Sequence, residues 1–337
     1  MATKREKWLD GLKGFAILLV ILGHVLSGYL DAGTFPEAYY SLYGVRTWIY
    51  SFHMPLFFLI SGVTFTLAYY RDDTLRRAGF CRQVLNLLWI YVLFVLLLWG
   101  VKQVVPALVN ETYTLEDLKG MFLTPLGNFW YLYVLLALYL IAALVRLPKW
   151  SAWSLPLLGI CALLAAQNHL DWTNLTLYRI LYHLFFFAVG CTLCLRRQLL
   201  RNGHLLGLAA MVLGTAAAFY VFYYVRWWYA SWKLMIALAT CWVYLCWFYR
   251  CPRLSELRLF QVCGKYCLEL YLLHTFFTAG LRTLLPMLGI TTAWLSVWLN
   301  FLISMAVSLG IAVLARKTWV MDIVFRPTRF FSHIRKK

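Results

Sequence analysis

Asp10-Gly-Leu-Lys13-Gly-Phe-Ala-Ile-Leu-Leu-Val-Ile-Leu-Gly23-His24 is the stretch on which the reading of this chain turns. Between Lys13 and His24 every residue is apolar or glycine, and the run continues to Leu30. Residues 12–30 therefore approach the roughly 20 residues a helix needs to cross the hydrocarbon of a bilayer. Nine further runs have the same character, at 46–70, 81–105, 126–146, 151–169, 175–195, 204–224, 229–249, 262–285 and 292–315. The composition agrees: 63% of the 337 residues are apolar and only 13% charged, with a mean hydropathy of +0.72. A soluble globular chain is about half apolar and about a quarter charged, so that class is excluded. The fold class expected is all-α, a polytopic integral membrane protein with about ten transmembrane helices.

The excess of Lys and Arg, 31 against 13 Asp and Glu, falls in short connections between the runs. With both termini cytoplasmic, inner loops and tails hold 23 basic residues and outer ends hold 7. That asymmetry sets the orientation, because Lys and Arg are retained on the cytoplasmic side. Counting Lys13 and the acids, the inner side carries +17 and the outer side +1. Such an inner surface attracts anionic lipid headgroups and an anionic soluble donor, and nucleic acid is not an expected partner. Residues 1–318 read as one membrane domain, and 319–337, where Arg326 and Arg329 alternate with Phe325, Phe330 and Phe331, as a basic aromatic cytoplasmic tail. The first run is read as an uncleaved helix rather than a signal peptide. The nine cysteines lie in or near the inner ends of spans, so no disulfide framework follows; Cys191-x-x-Cys194 is read as packing, and no metal site is expected.

Ionisable side chains inside hydrocarbon cost about 2.5–3.5 kcal/mol each on the gentlest scale, which makes them functional candidates. Eleven positions separate Lys13 from His24. On a helix that is three turns plus about 20°, so both stand on one face about 16 Å apart along the axis. Asp10 can pair with Lys13 at the inner interface. His24, in the outer half, can act as a general base or nucleophile, or be a core histidine bonded to a carbonyl. His53 enters from the outer side to a similar depth in Ser51-Phe-His53-Met-Pro55, where Pro55 frees the Ser51 carbonyl. His183 and His274 also reach mid-membrane, Tyr271 shares a face with His274, and Glu269 is expected to pair with Lys265 four residues earlier.

With these residues quoted, the chain resembles the membrane acyltransferase-3 family and, within it, the fucose 4-O-acetylase-like branch. The likeness rests on Lys13 to His24, on Phe52-His-Met-Pro-Leu-Phe-Phe-Leu-Ile-Ser-Gly62, on Asn128-Phe-Trp130-Tyr-Leu-Tyr and on Gly264 to His274. It implies about ten spanning helices, a cytoplasmic acyl-CoA donor and an acceptor hydroxyl on the other side, usually on a glycan. The intramembrane histidine of the family maps onto His24. Much of the family has arginine where this chain has Lys13, a point charge in place of a planar fork. The function expected is therefore an integral-membrane O-acyltransferase of the bacterial cytoplasmic membrane, with acetyl the expected group and acyl-CoA a co-substrate rather than a resident cofactor. His24 and His53 are the catalytic candidates. Lys13, Asp10, Arg76, Arg77 and Arg82 are the donor-binding set, and Trp130, Tyr131, Tyr271 and His274 the acceptor-binding set. The alternative is a secondary transporter or flippase for a lipid-linked or anionic glycan, with the same histidines relaying protons; it requires an internal repeat, and none is visible.

Overall fold

The computed structural model describes residues 6–71, 74–104, 112–167, 175–202, 229–318, 320–325 and 327–328. The seventh expected span, 204–224, lies outside them, as do Lys4, Arg5, Asp72, Asp73, Glu111, Trp227, Trp228 and residues 329–337 of the tail. The chain is helical nearly throughout: α1 (Lys7–Asp31), α2 (Tyr39–Tyr69), α3 (Arg77–Val104), α4 (Leu115–Lys119), α5 (Trp130–Leu144), α6 (Leu147–Gln167), α7 (Leu175–Leu195) and α8 (Leu199–Asn202). After the undescribed stretch come α9 (Tyr229–Arg250), α10 (Pro252–Ser255), α11 (Arg258–Lys265), α12 (Cys267–Met287), α13 (Ala293–Ala315) and α14 (Val320–Phe325). The strands β1 (Tyr70–Arg71) and β2 (Thr74–Leu75) pair antiparallel between α2 and α3.

Seven described helical segments are long and apolar enough to cross a membrane, and they coincide with seven of the ten expected runs. Two more helices, α9 and α12, have 22 and 21 residues but carry Lys233 and Arg250, or Glu269 and Arg282. The run expected as a single span at 262–285 is in fact divided. α11 ends at Lys265, Tyr266 adopts a non-helical ψ of 21°, and α12 starts at Cys267.

Two compact units are present. The first comprises Met1–Lys13, Ser51–Val84 and Val134–Gln261. Within it α2 and α7 meet at reciprocal glycines: a Cβ on Gly62 would lie 2.1 Å from the Phe187 carbonyl oxygen, and one on Gly190 would lie 2.0 Å from that of Leu59. Helices in lipid gain no hydrophobic drive from touching, so close backbone approach through small residues is what holds them. Cys191, which begins the Cys-x-x-Cys pair, is buried here with its thiol 3.6 Å from the Gly62 carbonyl. At the start of α1, Lys7 pairs with Glu256 at 3.1 Å and Arg197 with Glu6 at 2.9 Å.

The second unit comprises Gly14–Tyr50, Leu85–Tyr133 and Val262–Lys337. Its α12–α13 hairpin turns through Gly289, whose φ of +82° favours glycine. One face of α13 buries Ser296, Asn300, Ser304 and Ser308 at four-residue spacing. Asn300 Nδ2 donates to the Thr278 carbonyl of α12 at 3.1 Å, and Ser304 donates to Asn300 Oδ1 at 3.0 Å. At the far end of the pair, Arg316 bonds Glu269 at 2.7 Å, donates to the Lys265 carbonyl at 2.7 Å and lies 4.1 Å over the Tyr266 ring. The partner of Glu269 is thus Arg316 rather than Lys265, because the break at Tyr266 removes the helical register an i,i+4 pair needs. Glu269 is almost fully buried, its side chain 3% exposed. Glu269→Leu should therefore leave Arg316 with only the Lys265 carbonyl and the Tyr266 ring and cost about 2 kcal/mol, the usual worth of hydrogen bonds to a charged group. Thermal unfolding of the solubilised protein reads this out, and an unchanged Tm would refute it.

Candidate active site

The described half of the long connection after α3 is anchored rather than loose. Trp99 Nε1 donates to the Thr114 carbonyl at 3.1 Å, and Gln103 Nε2 to that of Tyr113 at 2.7 Å. Thr114 and Asp117 form a reciprocal capping box on α4. The Thr114 backbone N–H, then its hydroxyl, holds the Asp117 carboxyl below the usual carboxylate range. These bonds bring Tyr113 against the end of α3, with Lys102 Nζ 3.8 Å above its ring.

Here, inside the second unit, lies a cavity of about 360 Å³. That is within the range of small-molecule sites. Its wall is built from the C-terminal parts of α1, α3 and α12 and from the turn at Gly127–Phe129. The polar side chains on it are His24, Ser27 and Asp31 from α1, Lys102 from α3, and Thr275, Thr278 and Arg282 from α12, together with Tyr113 and Asn128.

His24 is embedded in a polar chain. Arg46 Nε donates to Ser27 Oγ at 2.9 Å, Ser27 donates to the Tyr50 hydroxyl at 3.0 Å, and that hydroxyl lies 3.4 Å from His24 Nδ1. A Cβ on Gly23 would come within 2.9 Å of the Tyr50 ring, so glycine before the histidine is what admits the phenol. On the other side stands His274, its ring centroid 5.2 Å from that of His24. His274 is fully buried, and its Nδ1 lies 2.8 Å from the Leu270 carbonyl. A carbonyl can only accept, so Nδ1 carries the hydrogen and Nε2 presents a lone pair. That Nε2 and the adjacent Thr275 hydroxyl are buried with no hydrogen-bond partner among the described residues.

α1 runs unbroken from Lys7 to Asp31, so Lys13 and His24 do share one helix at the expected spacing. Asp10 lies 3.9 Å from Lys13. Arg76, Arg77 and Arg82 are exposed and belong, with Asp10 and Lys13, to the first unit. His53 is in that unit too, 2% exposed and within electrostatic reach of His183, which bonds the Arg179 carbonyl at 2.7 Å and lies 4.3 Å from the Phe58 ring. Of the four residues expected to bind the acceptor, none is on the cavity wall. Tyr271 instead supports it, donating to the Asn128 carbonyl and meeting Tyr131 edge-on at 5.4 Å and His274 at 6.4 Å. Trp130 opens α5, next to the wall residues Asn128 and Phe129. Tyr50, Ser27 and Arg46 were not singled out by sequence, and Asn128 only as the start of a block of family likeness. Tyr50 and Ser27 carry no charge to mark them, and Arg46 reads as an ordinary outer-end cation.

Residues 6–317 match the family described as an acyltransferase domain, and the chain belongs to that family. Seven helices among the described residues are long and apolar enough to cross a membrane, consistent with a multi-pass membrane member of it. Among curated proteins it is similar to the nodulation protein NolL of Sinorhizobium fredii (strain NBRC 101917 / NGR234), 31% identical over 156 residues, 44% of this chain and 40% of that protein. It is similar also to NolL of Mesorhizobium japonicum (strain LMG 29417 / CECT 9101 / MAFF 303099), 30% identical over 153 residues, 45% of this chain and 39% of that one. The matched region spans about two-fifths of the length of these relatives. No solved structure matches the chain.

Proposed function

We propose that this protein is an integral-membrane O-acetyltransferase that moves an acetyl group from cytoplasmic acetyl-CoA to a hydroxyl of a glycan or lipid-linked sugar on the opposite side of a bacterial cytoplasmic membrane. The observation that carries the reading is His24, on the wall of a sugar-sized cavity of mixed polar and apolar lining and three turns along one helix from Lys13. In this reading the chain crosses the membrane ten times with both ends in the cytoplasm, and the basic aromatic tail lies on anionic lipid. CoA phosphates are held by Arg76, Arg77, Arg82 and by Lys13, which Asp10 orients. The thioester then extends along α1 towards His24. His24 removes the acceptor proton or briefly carries the acetyl group, and His53 is the second intramembrane histidine of the reaction. Asn128, Thr275 and Asp31 offer the hydrogen bonds, and Phe129 and Tyr113 the flat faces, that a pyranose requires. Tyr271, Tyr131, His274 and Trp130 support that wall from behind or beside it.

Donor use is the test. Radiolabelled acetyl-CoA is supplied to membranes containing the protein, and ester label on glycan is counted as a function of donor concentration. Lys13→Ala should raise the donor KM about tenfold, and Lys13→Arg should recover part of the loss, since the charge persists in a different geometry. The same donor KM in all three proteins would remove Lys13 from the donor site.

A further inference from the structure

In the ten-span reading seven basic residues lie at outer ends, and three of them gather at one place. Lys102 and Arg282 are on the cavity wall, and Arg46 donates to Ser27, which is on it too. Topology does not account for that gathering, because Lys and Arg are disfavoured on the outer side and costly near hydrocarbon.

Each of the three is held in place by groups that carry no charge. Lys102 Nζ stands 3.8 Å over the Tyr113 ring, the Arg46 guanidinium lies 5.1 Å over the Tyr50 ring, and Arg282 Nη1 donates to the Gly28 carbonyl at 3.4 Å. Asp31 is the only acid among the described wall residues, within electrostatic reach of Arg282. Two cations against one acid leave the described lining at +1. A guanidinium has five N–H groups and an ammonium three, so each cation can hold a ligand beside its protein partners.

The start of α5 adds to this field. Gly127–Phe129 lines the cavity as a 3-10 turn that runs into α5, and its N-cap residue, Leu126, supplies no side-chain hydrogen bond. The partial positive charge of a helix N-terminus therefore opens onto the same space as the two cations.

We propose that the acceptor is an anionic sugar, whose carboxylate or phosphate is held by Lys102 and Arg282 while its hydroxyl meets His24. The hydroxyl's role rests on the acetyltransferase reading; the anion site stands on the lining alone. A round cavity of 360 Å³ is about 9 Å across, so the anion and the reacting hydroxyl belong to the same sugar residue or to adjacent ones. The CoA phosphates are not the occupant, because in that reading they stay at the Lys13 end of α1, about 16 Å away. A neutral hexose fills the same volume but brings no counter-charge to the lining, which is the basis for discriminating against it.

The test is binding, measured calorimetrically on the purified full chain without acetyl-CoA. The probes are galacturonate against galactose, glucuronate against glucose, and glucose 6-phosphate against glucose. At least one charged sugar should bind about tenfold more tightly than its neutral counterpart, and should weaken as salt is raised, since the attraction is between charges. The uronate and phosphate arms tell a carboxylate from a phosphate. Lys102→Gln and Arg282→Gln should each lower the affinity for that anion about tenfold and leave the neutral sugar unchanged, and Lys102→Arg should recover part of the loss. If Arg282→Gln does not fold, Lys102→Gln carries the comparison alone. The proposal is overturned if no charged sugar binds more tightly than its neutral counterpart, or if the variants bind the anion as the wild type does. Charge-dependent binding by a protein whose membranes transfer no acetyl group to any glycan would uphold the anion site and overturn the acetyltransferase reading.

Discussion

His24→Ala is expected to abolish acetyl transfer, a loss of at least about 10³-fold, while the protein remains inserted and folded. Loss of a general base alone accounts for about 10²–10⁴ in rate, and loss of an acyl-carrying nucleophile for more. The fold should tolerate the change, because His24 is only half-buried and lines a cavity rather than filling the core. Alanine also relieves the burial of a polar ring in hydrocarbon. The measurement pairs single-turnover transfer from labelled acetyl-CoA with a thermal melt of the same preparation. Near-normal turnover would end the catalytic assignment. A collapsed melt would show that the Arg46, Ser27, Tyr50 and His24 chain holds the unit together rather than serving chemistry.

Sidedness should give the other all-or-none result. In sealed vesicles of known orientation, acetyl-CoA supplied on the side of the N-terminus should acetylate acceptor on the opposite side, and donor supplied with the acceptor should not. If both termini are cytoplasmic, the inner loops carry +17 against +1 outside, a difference that would concentrate a polyanionic donor on one face. The cavity sits where α1, α3 and α12 end, the opposite end of α1 from Lys13. The pantetheine arm must therefore cover about 16 Å of helix to bring its thioester to His24. Transfer seen only when donor and acceptor share the outer compartment would refute a mechanism that crosses the membrane.

The spans were legible in the sequence because hydrocarbon imposes a local requirement. A helix must be apolar along its whole length, and no partner elsewhere in the chain can waive that. The face shared by Lys13 and His24 followed for the same reason, since spacing within one helix is geometry and needs no tertiary context. Where two helices had to be known together, sequence was silent or wrong. Glu269 was matched to the nearest cation at helical spacing, whereas Arg316, 47 residues on, takes it once Tyr266 breaks the helix. His24 was placed by its depth alone. In its own unit its neighbours are Tyr50, 26 residues away, and His274, on a helix near the other end of the chain. Asn300 does carry a signal in the sequence, an amide in the middle of an apolar span, though no charge marks it.

Length, hydropathy and charge asymmetry thus determined that this is a polytopic helical membrane protein with an intramembrane histidine, because each is a property of contiguous residues in contact with lipid. Tertiary structure alone decided which groups surround that histidine, which polar atoms stay unpaired and where a cavity opens. Those depend on crossings between helices far apart in sequence, set by side-chain shape at points such as Gly23, Gly62 and Gly190.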